Sequence, residues 1–216
     1  MCVFGTRPEA VKLAPVVHAL RQSKSLEPVV AITAQHREML DQMMRWFDVK
    51  ADYDLDLMKH GQTLAELTGR VLNGVDQLLS KDKPDLLLVQ GDTTTVMSAA
   101  LAAFYQKVPV GHVEAGLRTN DRYNPFPEEM ARRQTGRLAT LHFAPTALAV
   151  ENLKKEGIVD NVFMTGNTVI DALLDTATRL QADQIDPALY GKVDFDKAKV
   201  LVDIALFAFL CISYDT

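Results

Sequence analysis

Residues 85–95 read DLLLVQGDTTT, and this stretch decides the fold class. Residues 86–89 of this stretch are all apolar, which predicts a short buried strand over residues 85–90. Gly91 then permits a tight turn, and the threonines lead into a segment with helical periodicity at 94–106. A strand, a glycine turn and a helix in this order are typical of one unit of a parallel sheet.

The same unit recurs along most of the chain, because short apolar runs alternate with longer amphipathic segments. The predicted strands, all read as buried, span residues 3–4, 29–33, 85–90, 109–113, 141–144 and 161–165. The predicted helices span residues 8–22, 36–47, 64–79, 94–106, 127–139, 147–156 and 169–180. This alternation predicts an α/β fold, a Rossmann-like doubly wound parallel sheet whose strand-to-helix loops share one edge.

The alternating pattern stops at about residue 180. Residues 181–198 are mostly polar and include Pro187 and Gly191, which favours a linker. A strand pattern restarts at residue 199, and an apolar run follows it towards residue 216. We therefore predict a Rossmann-like domain at 1–180, a linker at 181–198 and the start of a second domain at 199–216.

The composition argues against several classes of protein. A net charge of −5 does not suit a nucleic-acid-binding protein, which usually carries a basic stripe. The two cysteines, Cys2 and Cys211, form neither a disulfide framework nor a zinc motif. No secretory signal is visible, and the most apolar stretch, 204–212, is too short to cross a bilayer. We expect a cytoplasmic protein that binds neither nucleic acid nor membrane.

The familiar phosphate-binding motifs are also missing. No GxGxxG follows a predicted strand, and no GxxxxGK[ST] occurs. These absences argue against a nicotinamide dehydrogenase and against a P-loop nucleotidase.

Two cations follow the first predicted strand. Thr6 and Glu9 have the spacing of a capping box, and Pro8 suits the first position of a helix. Arg7 is therefore placed at a helix N-terminus, where free N–H groups favour an anion, and Lys12 adds a second positive charge. The structural alternative, in which Lys12 pairs with Glu9 and Arg7 is solvated, stays open.

Three carboxylates are predicted at the same edge. Asp92 follows the strand at 85–90, although an Asp in this position can also cap the next helix. Glu114 follows the strand at 109–113 and is a poor cap. Glu128 and Glu129 open a helix, where the helix dipole favours acidic residues. Since ligands bind beyond the carboxyl ends of parallel strands, we expect Asp92, Glu114 and Glu128 to line one cleft.

Six segments together resemble one known family. They are, in order, GTRPEAVKLAPVVHAL, TAQHREMLDQ, QGDTTT, PVGHVEAGLRT, PFPEE and TGNTVIDAL. From residue 3 to about residue 200 the chain closely resembles the non-hydrolysing UDP-N-acetylglucosamine 2-epimerases. The resemblance implies the first half of a GT-B architecture, in which two Rossmann-like domains close over a UDP-sugar. It also implies a homodimer that needs no nicotinamide and no metal.

The implied reaction interconverts UDP-GlcNAc and UDP-ManNAc by anti elimination of UDP and re-addition. The resemblance assigns acid–base and electrostatic roles at the sugar to Asp92, Glu114 and Glu128. It implies that Arg7 and Lys12 contact the nucleotide of the same substrate. The resemblance also implies that a second, activating UDP-GlcNAc is contacted by Gln35, His36 and Gln62.

The sequence departs from the family at three places. Members often carry Asn at the position of Ala131, and some carry Arg at the position of Gly61. After residue 202 the family continues with a TGHRRE-type motif, whereas this chain reads DIALF. We therefore expect a truncated or frame-shifted chain that is inactive by itself.

Two other functions stay open. A GT-B glycosyltransferase would transfer the sugar to an acceptor and would need a single catalytic base. A nucleotide-sugar-binding or dimerisation fragment would have no turnover. Three carboxylates at one edge favour elimination and re-addition over transfer.

Overall fold

The computed structural model describes residues 1–34, 37–59 and 61–182, with side chains as far as Arg179. Seven strands run through these residues in an α/β arrangement. They are β1 (Cys2–Phe4), β2 (Val30–Ile32), β3 (Tyr53–Asp54), β4 (Leu87–Gln90), β5 (Val110–Val113), β6 (Leu141–Ala144) and β7 (Val162–Met164).

Seven helices alternate with the strands in the same described ranges. They are α1 (Arg7–Gln22), α2 (Arg37–Trp46), α3 (Leu64–Asp82), α4 (Thr94–Tyr105), α5 (Glu128–Leu138), α6 (Ala147–Lys155) and α7 (Val169–Ala182). The chain divides into two compact units after Asn167, so α7 belongs to the second unit and all other elements belong to the first. None of the described helices is both long and apolar enough to cross a bilayer.

All seven strands form one parallel sheet in the order β3-β2-β1-β4-β5-β6-β7. The register pairs Phe4 of β1 with Ile32 of β2, and it pairs Gln90 of β4 with Val113 of β5. The strand order reverses between β1 and β4, which makes this point the topological switch of a doubly wound sheet. Ligands of such sheets bind in the crevice beyond the carboxyl ends of the strands at the switch.

One core cluster joins β1 and β4 to the helices α3 and α4. On α3, Leu67, Val71 and Val75 recur every four residues and form one buried stripe. The facing helix α4 is lined with small residues, among them the fully buried Ala99 and Ala103, which let the two helices pack closely. Burial of these strands on both faces explains their continuous apolar sequence.

The parallel α/β sheet predicted from the sequence is confirmed, and each of the six predicted strands is present. The two-residue strand β3 was not predicted, because Tyr53 and Asp54 form no apolar run. The prediction of a buried strand at 161–165 is wrong in its burial: β7 is an edge strand, and Phe163 and Met164 are exposed. Helix α7 ends at Ala182, two residues into the predicted linker, 181–198. The rest of that linker and the predicted second-domain start, 199–216, lie outside the described residues.

Candidate functional site

The candidate site lies at the switch point of the sheet, beyond the carboxyl ends of β1, β4 and β5. Arg7 begins α1 directly after β1, and Asp92 lies two residues beyond the end of β4. Glu114 is the first residue after β5, the strand that pairs with β4. The fold therefore brings these three loops to one edge, as the sequence predicted.

Glu114 is the most extensively bonded carboxylate of the site. Lys12 Nζ lies 2.8 Å from Oε1 and 2.7 Å from Oε2. Asn167 Nδ2 donates to Oε1 at 2.9 Å, and Gln90 Nε2 donates to Oε2 at 2.5 Å. Glu114 is 8% exposed and has a left-handed backbone, with φ of 66°. Both carboxylate oxygens are thus fixed by donors from three other elements of the chain.

The structure shows which carboxylate pairs with Lys12, a question that the sequence left open. Lys12 is buried and forms its ion pair with Glu114, 102 residues away, rather than with Glu9 one turn back. The i,i+3 pairing of Lys12 with Glu9 is therefore wrong. The ammonium group lies inside the site, next to a carboxylate.

Asp92 is paired with an arginine from a different helix. Arg132 Nη2 on α5 lies 2.5 Å from Asp92 Oδ2. Burial raises the pKa of the Asp92 carboxyl, the positive charge of Arg132 lowers it, and the negative charge of Glu114 raises it again. The Asp92 side chain keeps 27% of its surface exposed, so solvent moderates this effect and the carboxyl stays accessible.

Asp92 does not cap the helix that follows it. The N-cap of α4 is Thr93, whose side-chain oxygen accepts from Val96 N at 3.3 Å. The capping role considered for Asp92 is therefore wrong, and no helix-end contact accounts for its carboxylate.

Glu128 and Glu129 share the first turn of α5 but have different environments. Glu129 is fully buried, and its carboxylate accepts from Thr119 N at 3.1 Å and from Arg133 Nε at 2.8 Å. Glu128 is half-buried and lies one turn before Arg132, so the two residues share one face of the helix. Since Arg132 reaches Asp92, this face of α5 lies at the site.

Arg7 is the first residue of α1 and is half-buried. The preceding turn is fixed by Glu9, whose Oε2 accepts from Gly5 N at 2.6 Å and from Thr6 N at 2.8 Å. Glu9 thus occupies the capping position predicted for it. Gly5 admits no side chain, because an added Cβ would lie 2.0 Å from Thr33 Oγ1.

The residues assigned to a second ligand are only partly described. Gln35 and His36 lie outside the described residues. Gln62 is half-buried in the segment before α3, where its Oε1 accepts from Lys59 N and its Nε2 contacts Met58 Sδ. These contacts are local, and none of them joins Gln62 to the carboxylates at the switch point.

Four site residues were not predicted from the sequence: Gln90, Arg132, Asn167 and His112. His112 is a buried residue of β5 whose Nε2 lies 2.7 Å from the Gly91 carbonyl oxygen. A polar side chain at the end of an apolar strand was the one available signal for Gln90. The other three residues contact partners that lie 21 to 53 residues away in the sequence, and local sequence patterns do not reveal such contacts.

The site combines the fixed charges of Lys12 and Glu114 with the partly exposed carboxyl of Asp92. Among the residues that the structure describes, no group of three or more His, Cys, Asp or Glu is placed to hold a metal ion. The arrangement can stabilise a developing positive charge through Glu114, and it can move a proton through Asp92, whose raised pKa favours that work.

The chain is similar to known proteins in both sequence and structure. A sequence model of the family described as UDP-N-acetylglucosamine 2-epimerase matches residues 18–202. The UDP-N-acetylglucosamine 2-epimerase of Escherichia coli K12 is 52% identical over 207 residues, which cover 94% of this chain and 55% of that protein. The chain spans about half the length of the curated relatives it matches.

Solved structures give the same result. The Neisseria meningitidis UDP-GlcNAc 2-epimerase bound to UDP-GlcNAc aligns with a TM-score of 0.85 at 51% identity, over 88% of this chain and 52% of that one. The Methanocaldococcus jannaschii enzyme in complex with UDP-GlcNAc and UDP aligns with a TM-score of 0.81 at 36% identity, over 88% and 52%. The sheet is thus the Rossmann-like half of a GT-B fold, and the chain belongs to the UDP-N-acetylglucosamine 2-epimerase family.

Proposed function

We propose that this chain supplies the catalytic carboxylates of an isomerase that interconverts UDP-GlcNAc and UDP-ManNAc. The observation that carries the proposal is the pair of unlike carboxylates at the switch point. Glu114 is fixed by Lys12, Gln90 and Asn167, whereas Asp92 has a raised pKa and a side chain that is only partly buried. Relatives and solved structures that are about half identical to the chain carry the name of this activity.

The two carboxylates suit different parts of an elimination. As UDP leaves, C1 of the sugar gains positive charge, and a fixed negative charge such as Glu114 stabilises it without reorganising. The C2 proton then becomes labile and needs an acceptor on one face and a donor on the other. We assign Asp92 to one of these proton transfers and Glu128, on the face of α5 that reaches Asp92, to the other.

The nucleotide and the assembly are further parts of the proposal. Arg7, at the N-terminus of α1, is proposed to bind the diphosphate, because helix N-termini favour anions. Lys12 is proposed to reach the same substrate while it holds Glu114. Gln35, His36 and Gln62 remain proposed contacts of a second UDP-GlcNAc. We infer a homodimer in the cytoplasm from the family resemblance and the composition.

The test is a conversion assay on two proteins. One is the 216-residue chain, and the other is a chimera in which residues 1–202 are followed by the C-terminal part of the Escherichia coli relative. We expect the chimera to convert UDP-GlcNAc to UDP-ManNAc, measured by ¹H NMR of the anomeric signals. We expect the chain by itself to be inactive, because closure around the sugar needs both domains.

Two results would contradict the proposal. A folded chimera that binds UDP-GlcNAc and leaves it unchanged would favour the binding-fragment alternative. A chimera that uses up UDP-GlcNAc only when an acceptor sugar is present would favour a glycosyltransferase.

A further inference from the structure

The turn that carries Asp92 is held on both sides by buried side chains from other elements. Gly91, on one side, is held by His112 of β5, which is 1% exposed. Its Nε2 lies 2.7 Å from the Gly91 carbonyl oxygen. Burial lowers the pKa of His112 to about 4, so the ring is neutral at pH 7 and its Nε2–H donates to the carbonyl.

Thr93, on the other side, is held by Glu9 of α1. Thr93 Oγ1 donates to Glu9 Oε1 at 2.5 Å, while the second oxygen of Glu9 accepts from Gly5 N and Thr6 N. Glu9 is 2% exposed. One buried carboxylate thus joins the loop after β1 to the loop after β4, across the switch point of the sheet.

The turn at Gly91–Thr93 does not need the contacts of His112 and Glu9 to keep its backbone conformation. Gly91 already adopts the left-handed backbone, with φ of 82°, and its N–H donates to Val113 O at 3.0 Å. Two further buried groups hold the turn at the residues directly before and after Asp92. Buried polar side chains are costly unless they are satisfied, and these two are satisfied in part through this turn.

We propose that His112 and Glu9 are positioning residues that aim the Asp92 carboxylate at the sugar. This inference rests on the proposed function. The clamp, defined as His112, Glu9 and the Gly91–Thr93 turn between them, fixes the distance of Asp92 from Arg132 and Glu114. Catalytic groups displaced by about 1 Å lose on the order of a hundredfold in rate, so the clamp acts on turnover through Asp92.

Two pairs of variants in the chimera test the clamp. His112→Leu removes the donor to Gly91, and His112→Gln keeps an amide N–H near the position of Nε2. Thr93→Val removes the donor to Glu9, and Thr93→Ser keeps it. Thr146→Val is the matched control for the loss of a helix cap, because Thr146 caps α6 by accepting from Ala149 N at 3.2 Å, as Thr93 caps α4 by accepting from Val96 N at 3.3 Å.

We expect His112→Leu and Thr93→Val to lower kcat by about ten- to a hundredfold with little change in KM. The Gln and Ser variants should recover most of this loss. Thr146→Val should lower the melting temperature and leave kcat unchanged. In an Asp92→Asn background the two damaging substitutions should cause no further loss, because residues that act through one group are not additive. A full further loss there would overturn the proposal.

A structural measurement keeps the clamp testable without turnover. In crystal structures of the His112→Leu and Thr93→Val variants, the 2.5 Å contact between Asp92 and Arg132 should open beyond hydrogen-bond distance. If it stays closed in both variants, the clamp does not position Asp92. A chimera without epimerase activity would refute the proposed function. The distance between Asp92 and Arg132 in these crystal structures would then still decide whether the clamp positions Asp92.

Discussion

Arg132 Nη2 lies 2.5 Å from Asp92 Oδ2, and this contact joins α5 to the end of β4 across 40 residues of sequence. Arg132 is also 3.5 Å from Glu129, the buried carboxylate that holds the loop before α5. The guanidinium therefore connects a structural carboxylate to the accessible one. The electrostatic state of Asp92 depends on a residue outside its own loop.

Arg132→Gln should raise the pKa of Asp92 above its value in the parent protein. The positive charge of Arg132 lowers that pKa, and its removal leaves burial and Glu114, which both raise it. Titration of ¹³C-labelled aspartate carboxyls by NMR measures the change. Arg133→Gln is the control, since Arg133 pairs with Glu129 and Glu156 and should leave Asp92 unaffected. An unchanged or lower pKa in Arg132→Gln would show that the pair has no electrostatic effect.

Substitution of the three carboxylates should stop the chemistry and spare the nucleotide. In the chimera, Asp92→Asn, Glu114→Gln and Glu128→Gln should each lower epimerisation by about a hundredfold or more, the usual contribution of an acid–base group. UDP affinity, measured by calorimetry, should change little in these variants. Arg7→Ala should instead weaken UDP binding, because it removes a cation from an anion-binding helix end. Normal turnover in the Asp92 and Glu128 variants would return both residues to structural roles.

The Arg118–Glu156 pair should contribute to stability only above acidic pH. The side chain of Arg118 is 2% exposed and donates to both Glu156 oxygens at 2.7 Å, and this bonding lowers the pKa of Glu156 below its ordinary 4.5. A lowered pKa means that the contribution is complete above pH 4.5 and is lost as the pH falls through the folded-state value.

Urea unfolding from pH 7 to pH 3 checks this pair. Glu156→Gln should cost about 2 kcal/mol at pH 7 and progressively less as the pH falls. Glu151→Gln is the control, because its pair with Lys155 is exposed on both sides and should contribute little at any pH. A cost for Glu156→Gln that does not vary with pH would contradict the assignment.

Gly116→Ala should be far more costly than Gly157→Ala. Both glycines have a left-handed backbone, with φ of 92° and 76°. An added Cβ at Gly116 would lie 2.2 Å from the backbone oxygen of Ala149, whereas nothing lies within 4 Å of one at Gly157. We expect a loss of about 3 kcal/mol for Gly116→Ala and about 1 kcal/mol for Gly157→Ala in thermal melts. Equal losses would mean that the backbone of α6 at Ala149 moves to accommodate the added methyl group.

The sequence predicted the sheet because its strands are short apolar runs with glycine turns, as at 85–95. It also predicted that Asp92 and Glu114 share an edge, since parallel strands β4 and β5 end there together. The strand β3 was missed because its pairing with β2 depends on backbone contacts and not on an apolar pattern.

The contacts of the site were much less predictable than its location. Glu9 has the spacing of a helix cap, and its second role, the bond to Thr93, joins residues 84 apart in the sequence. The sequence left open whether Lys12 pairs locally with Glu9, and the fold supplies Glu114 instead. Buried charges find partners wherever the fold brings them, so spacing rules apply to helix ends and fail in the core.

Hydrogen exchange at C2 of the sugar tests the central claim most directly. Incubation of the chimera with UDP-GlcNAc in deuterated water, followed by mass spectrometry and ¹H NMR, should show one deuterium at C2 in UDP-ManNAc. The same incubation with the Asp92→Asn chimera should show exchange slowed by about a hundredfold or more. UDP-ManNAc formed without deuterium, or unchanged exchange in Asp92→Asn, would contradict elimination and re-addition with Asp92 as a proton carrier.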